Sequence, residues 1–258
     1  FVAMLLLLSS CGSVPLTGRK QVLLVSDQEV LSSSLTQYSD YMKSAKKSSS
    51  KDGAAMVTRV GKKIAAATEQ YLRNNGLESE IKNFAWEFNL VNDPQVNAFC
   101  MPGGKIVVYE GLMQLVSSDD ELAVVVGHEV AHAVAKHSNE RMSQQLMAQY
   151  GAQILGRALS NKSAAVQKIG ASVYGLGAQY GVMLPFSRKH ESEADYMGLV
   201  FMAMAGYNPA VAVNFWQKMS AGKSGSTPEF MSTHPSDATR INEIKQHLPE
   251  IEKYRVKK

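Results

Sequence analysis

His128 and His132 stand four residues apart, with Glu129 between them. On an α-helix four residues turn through about 400°, so the two imidazoles lie about 40° apart on one face, one turn along. Two ring nitrogens can then meet a single zinc ion. Glu129 lies beside them, placed to face a water on such an ion rather than the ion itself. The chemistry this pattern allows is metal-assisted hydrolysis. The metal polarises a carbonyl, and the glutamate takes a proton from water.

A catalytic zinc site needs a third protein ligand and one open position. No His-x-x-Gly-x-x-His continuation follows His132, so the metzincin pattern is absent. His137 lies five residues on, about 140° round a continuous helix. It reads as a solvated or N–H-bonded helix residue. The stretch 187 to 195 offers a better partner, with Glu191, Glu193 and Asp195 on one expected helix. Glu191 and Asp195 share a face, whereas Glu193 lies about 200° from Glu191 and points away. One carboxylate can therefore ligate a metal, and the other can orient an imidazole through its second N–H. The alternative is a solvated acidic face, which the histidine pair makes the weaker reading.

The elements that must hold these residues are mostly helical. Ser26 with Glu29, and Ser118 with Glu121, are capping-box patterns. They predict helices over residues 26 to 47 and from 118 through the histidine pair. Residues 54 to 74 carry Val57, Val60 and Ile64 near helical spacing. Phe84, Trp86, Phe88 and Leu90 alternate as in a half-buried strand, and 105 to 109 is a second strand. Gly103 and Gly104 allow a close hairpin between strands. One or two helices are expected over 138 to 179, then helices over 191 to 205, from Pro209 through Trp216, and over 235 to 248. The fold class expected is α+β, mainly α, with one small β-sheet beside the helix of the histidine pair.

Hydrophobic residues make up 45% of the 258 and charged residues 19%, which suits a chain that buries a core. Net charge is +4, and the one dense basic run is 253 to 258. No nucleic-acid partner is expected from so dispersed a charge. Residues 1 to 8 are almost wholly apolar, too few for a bilayer span of about twenty. With Ser9, Ser10 and Cys11 they fit the end of a secretion signal and resemble a bacterial lipobox, with Cys11 acylated. A short buried strand with an incidental cysteine is the alternative. Cys100 is expected to be buried as a small apolar residue, with a disulfide to Cys11 as the other possibility.

Several blocks in order resemble a known family. They are Asn97-Ala98-Phe99 with Pro102-Gly103-Gly104; Gly111-Leu112; Glu121-Leu122-Ala123 before the His128 motif; Ser187-Arg188 with Glu191 and Ala194-Asp195; and His234-Pro235 followed by Arg240. The chain resembles the zincin-like gluzincin metallopeptidases of the HtpX and CAAX prenyl protease 1 type, in particular a soluble, bacterial lipoprotein branch (LoiP- and BepA-like). Integral-membrane members have long apolar spans near the motif, and none occurs here after residue 8.

The resemblance implies one Zn²⁺ per chain, with Glu191 as third ligand beside His128 and His132, and Asp195 orienting a histidine. It implies that Asn97, Ala98, Gly103 and Gly104 belong to an edge that holds substrate extended beside the metal, by strand addition. His234 would reach the site, either as an oxyanion donor, a part Arg240 could also take, or as a fourth ligand that plugs the zinc. The organisation expected is a signal peptide over 1–10, a tether over 11–25, a metallopeptidase domain over 26–250 and a basic tail over 251–258. The function implied is endopeptidase cleavage of unfolded or misassembled envelope proteins in quality control. Its place would be the periplasmic side of the bacterial outer membrane on a lipid anchor, with the inner membrane or the cell surface as alternatives. A different class stays open: a chaperone or assembly factor for outer-membrane proteins with a gated zinc site. A purely structural zinc lipoprotein is a third, and it leaves Glu129 without a role.

Overall fold

The computed structural model describes residues 11–159, 187–221, 229–234 and 238–256. The expected signal peptide, the part of the helical stretch expected over 160–179, the break at Pro185 and the start at Pro235 lie outside the described residues. Where a tether was expected, β1 (Cys11–Ser13) pairs antiparallel with β2 (Lys20–Val22). Leu16 and Gly18, both at positive φ, turn the chain between them. Val14 in that turn is buried in the main core. Strands of three residues are too short to show a period, which is why the pattern missed them.

Helix α1 (Asp27–Ser44) opens with the expected capping box: the Ser26 side chain accepts from the Glu29 N–H, and Glu29 accepts from the Ser26 N–H. Helix α2 (Lys51–Asn74) starts earlier than its apolar spacing suggests, because Ser50 caps it by accepting from the Gly53 N–H. Its Val57, Val60, Ile64 and Leu72 are wholly buried, each contributing about 1.5–3 kcal/mol of transfer free energy. After a short turn of helix, α3 (Glu78–Ile81), come β3 (Glu87–Val91), β4 (Ala98–Met101) and β5 (Lys105–Tyr109).

The sheet order is β3-β5-β4, with β3 parallel and β4 antiparallel to β5. The close hairpin joins β4 to β5 through Gly103 and Gly104, both at positive φ. Trp86 lies against the Gly104 backbone, where a Cβ would come within 2.5 Å of its ring. This order leaves β4 at an edge. Helices α4 (Glu110–Met113) and α5 (Asp119–Val134) follow the sheet directly, then α6 (His137–Leu159). Further along come α7 (Arg188–Met204), α8 (Val211–Ala221), α9 (Glu229–Thr233) and α10 (Ala238–Ile251). The expected mainly helical α+β architecture is the one observed. No described helix is long and apolar enough to cross a membrane.

Helices α5 and α7 are the centre of the core, and they touch backbone to backbone. A Cβ on Gly127 would sit 2.8 Å from the Gly198 carbonyl oxygen, and one on Gly198 would sit 2.7 Å from the Gly127 carbonyl carbon. Only glycine permits that approach. Gly127 precedes His128, and Gly198 lies one turn after Asp195. Gly198→Ala therefore forces the helices apart. It should cost about 1–3 kcal/mol, read as a lower denaturant midpoint; an unchanged midpoint would show that the contact is loose.

Candidate metal centre

Helix α5 is capped by Ser118, which accepts from the Glu121 N–H at 3.2 Å. The Glu121 carboxylate reaches past it to the Ser117 N–H at 2.7 Å and accepts from Lys218 of α8. The helix so fixed presents His128, Glu129 and His132, all buried. Helix α7, capped by Ser187, presents Glu191 and Asp195, also buried. His234 follows α9 and stacks on Phe230 at 4.5 Å between ring centroids.

These side chains converge. His128 Nε2 lies 3.0 Å from His132 Nε2 and 3.2 Å from His234 Nδ1. Glu191 Oε2 is 3.3 Å from His128 Nε2, and Glu191 Oε1 is 3.4 Å from His132 Nε2 and 3.1 Å from His234 Nδ1. One donor atom from each of His128, His132, Glu191 and His234 falls within 4.8 Å of the others, so the four could hold one metal ion. Imidazole nitrogens and a carboxylate oxygen suit zinc. Two imidazole nitrogens pointed at one another satisfy each other with a single proton at best. A shared cation satisfies both, so the donor set fits.

Glu129 stands just outside this set. Its Oε2 accepts from the Cys100 N–H of β4 at 3.0 Å. Its Oε1 is buried without a hydrogen bond, 3.4 Å from His234 Nε2. Burial raises the Glu129 carboxyl above its ordinary pKa, against the pull of His234 and His128. Burial would raise Glu191 as well, but hydrogen bonds from the three histidines outweigh it and hold that carboxyl far down.

His128 Nδ1 meets Asp195 Oδ1 at 2.9 Å. Arg240 holds Asp195 from behind: its Nε donates to Oδ2, and its Nη2 donates to Oδ1 at 2.8 Å. Arg240 Nη1 also lies 3.1 Å from Glu191 Oε2, and the guanidinium sits over the Trp216 ring at 4.6 Å. It is a buried cation that balances two buried carboxylates.

A cleft of about 420 Å³ opens beside Glu129, His132 and His234, with Asn97, Ala98 and Cys100 of the β4 side along it and Val30 of α1 among its other walls. The Cys100 N–H points away from β5 towards Glu129. Asn97 turns its side chain onto the Ala98 N–H. Gly103 lies on a separate small cavity next to His132, and Gly104 lies against Trp86 rather than on the cleft. Cys100 carries a free thiol, and burial drives its pKa well up.

The sequence reading missed a second buried network. Lys136 has φ 57°, so α5 ends at Val134 and α6 restarts at His137. That break returns His137 to the back of His132, with Nδ1 to Nδ1 at 2.8 Å. The 140° argument assumed a continuous helix, and nothing at Lys136 signals a stop. His137 Nε2 meets Glu193 Oε2 at 3.0 Å. Glu193 also accepts from Thr17 Oγ1 at 2.5 Å and from Arg19 Nε at 2.8 Å. Arg19 is bidentate to Glu140, at 2.8 and 2.7 Å, and His190 Nε2 meets Glu140 at 3.0 Å. Burial pushes His137 down to a pKa of about 4.

A mainly helical α+β fold that gathers two helical histidines, a glutamate from a second helix and a free acid beside them defines a zincin-like metallopeptidase site. The pattern of Peptidase family M48 matches residues 58–248, and the chain belongs to that family, whose members are zinc-dependent. It is 37% identical to the mitochondrial metalloendopeptidase OMA1 of Schizosaccharomyces pombe, over 76% of this chain and 53% of the relative. With the mitochondrial metalloendopeptidase OMA1 of Homo sapiens it shares 27% identity, over 93% of this chain and 46% of the relative. With the beta-barrel assembly-enhancing protease of Yersinia pestis it shares 33%, over 63% of this chain and 36% of the relative. The chain thus spans about half the length of these relatives, or less.

These matches correct one expectation. A lipid-anchored place on the periplasmic side of a bacterial outer membrane is overturned, because the relatives aligned over nearly the whole chain carry mitochondrial names. No finding supports a lipid on Cys11, and the lipoprotein branch is not supported either.

Glu140 gives a test of the second network. Burial would raise its carboxyl, but His190 and Arg19 outweigh that and bring it from 4.5 to about 2. A depressed carboxyl contributes stability that is present above the unfolded value and lost as pH falls through the folded one. Metal-free Glu140→Gln should therefore be less stable than wild type at pH 6, with the gap narrowing from about pH 4.5 towards 2. Denaturant titrations across that range check it; a gap that does not change with pH would remove Glu140 from the ion pair.

Proposed function

We propose that the chain is the catalytic domain of a zinc-dependent endopeptidase that cleaves unfolded or misassembled proteins in quality control. One observation carries this reading: Glu129 Oε1 is buried and free of hydrogen bonds beside a three-histidine, one-carboxylate donor set. A purely structural zinc site has no use for such an acid.

In this reading His128, His132 and Glu191 hold the zinc, and Asp195 orients His128 with Arg240 behind it. Bound there, the ion supplies Lewis acidity to the scissile carbonyl and acidifies a water. Glu129 would take a proton from the attacking water and pass it to the leaving amine. Its pKa, raised by burial, suits an acid that must also give the proton back. The peptide is held extended along the open edge of β4, with Asn97 and Ala98 facing it and Gly103 and Gly104 setting the hairpin that aims the edge. A disordered segment can enter such an edge; a folded protein cannot. That is why unfolded chains are the proposed substrates.

His234 supports a gated form of this reading. Its Nδ1 lies among the other donor atoms and its Nε2 faces Glu129. As a fourth ligand it would take the position that a water needs, and the arrangement would then be a resting state. A chaperone that holds unfolded chains at the same edge is the second reading, and the same histidine favours it. Purified variants with a zinc-loaded cleavage assay on an unfolded protein separate these. Glu129→Gln should keep one zinc and lose at least about 10²-fold in rate. Glu191→Ala should lose zinc. His234→Ala should cleave faster than wild type. Full activity in Glu129→Gln would sink the mechanism, and a collapse of rate in His234→Ala would make that histidine an oxyanion donor instead.

A further inference from the structure

The two ring nitrogens of His132 face opposite ways. Nε2 joins the donor set, and Nδ1 lies 2.8 Å from His137 Nδ1. Two imidazole nitrogens at that distance share one proton. With the Nε2 lone pair turned to a cation, His132 carries its proton on Nδ1 and donates it. His137 then accepts at Nδ1 and keeps its own proton on Nε2, which donates to Glu193 Oε2 at 3.0 Å. Glu193 can only accept there, and it accepts also from Thr17 and Arg19. Every proton in the line is placed by the one before it.

His128 reaches its orienting acid, Asp195, directly. His132 reaches its acid through one extra imidazole, and that acid is fixed from the other end of the chain, by Thr17 and Arg19 in the connection between β1 and β2. Arg19 is mostly buried, with its side chain 13% exposed. It grips two carboxylates at once, Glu193 and Glu140. Lost contact at Arg19 would leave both acids buried without their cation.

We propose that Thr17 and Arg19 of the N-terminal hairpin are positioning residues for metal binding, acting through Glu193 and His137 on the orientation and tautomer of His132. The proposal rests on the reading of His128, His132 and Glu191 as metal ligands. The hairpin is thereby a clasp on the metal centre: docked, it fixes the His132 ring; undocked, it frees that ring to turn. Loss of a group that orients a ligating histidine weakens metal binding by about 10–100-fold.

The test uses the full chain, with cobalt(II) in place of zinc for its visible absorption, and zinc release to a chelator followed in time. Glu193→Gln and Arg19→Met should release zinc about tenfold faster or more and shift the cobalt band. Arg19→Lys, which keeps a cation, should recover part of the loss, and Thr17→Val should change both readouts in the same direction by less. Thermal unfolding of the metal-free forms reports folding separately. Wild-type spectra and release rates in folded Arg19→Met and Glu193→Gln, with only a lower melting temperature, overturn the proposal. Should either of those fail to fold, Thr17→Val and Arg19→Lys decide by the same two readouts. A wild-type chain that takes up no metal, or Glu191→Ala that keeps it, overturns the metal reading itself and this proposal with it.

Discussion

The contact between Gly127 and Gly198 governs the rest of the structure. Helices normally sit 8–10 Å apart, at a distance set by the side chains between them. Here each helix offers bare backbone to the other. That brings the start of α7 close enough for Glu191 to reach two histidines of α5 with a short carboxylate arm. It also brings Asp195 within hydrogen-bond reach of His128. With the helices at ordinary spacing, the same residues would face one another across a gap. The site is thus a product of helix packing, and the apolar core that presses α5 and α7 together also holds these donor side chains in register.

Such packing puts charges where water does not reach, which costs several kcal/mol per ion unless each is paired. The fold answers with cations placed behind the acids. Arg240 stands behind Asp195 and Glu191, and Arg19 stands behind Glu193 and Glu140. Both arginines use a planar fork that meets two groups at once, which a lysine cannot reproduce. The two histidines on α5 are therefore fixed by two lines of hydrogen bonds that end in guanidinium groups from opposite ends of the sequence. The lines differ in length by one imidazole, because the chain breaks at Lys136 and His137 fills the space behind His132.

What could be read from the sequence follows from how local the signals are. His128, Glu129 and His132 lie on one helix, so a wheel places them correctly. The shared face of Glu191 and Asp195, with Glu193 turned away, rests on the same local geometry, and the structure places these side chains on those sides. The Ser26 and Ser118 caps are local too, and both form. The failures are all non-local or unsignalled. Lys136 adopts a left-handed conformation with neither glycine nor asparagine to announce it. Its side chain bridges Asp27 and Glu80, so tertiary contacts hold the break. Two strands of three residues carry no period, and the partners of Arg19 lie more than a hundred residues away. The expected location failed for another reason: a short apolar start and a cysteine form a pattern that carries no tertiary check.

His234 brings these threads to one point. It follows a short helix tied to the segment before the sheet's edge, since the Phe230 N–H donates to the Val96 carbonyl. Val96 leads directly into Asn97 and β4, the edge along the cleft. The His234 ring stacks on Phe230 at 4.5 Å between centroids, so the same hydrogen bond lies behind it. His234 has one nitrogen in the donor set and the other towards Glu129. The fourth donor and the edge along the cleft therefore share a structural support, the backbone hydrogen bond from Phe230 to Val96, so the packing that positions one also positions the other.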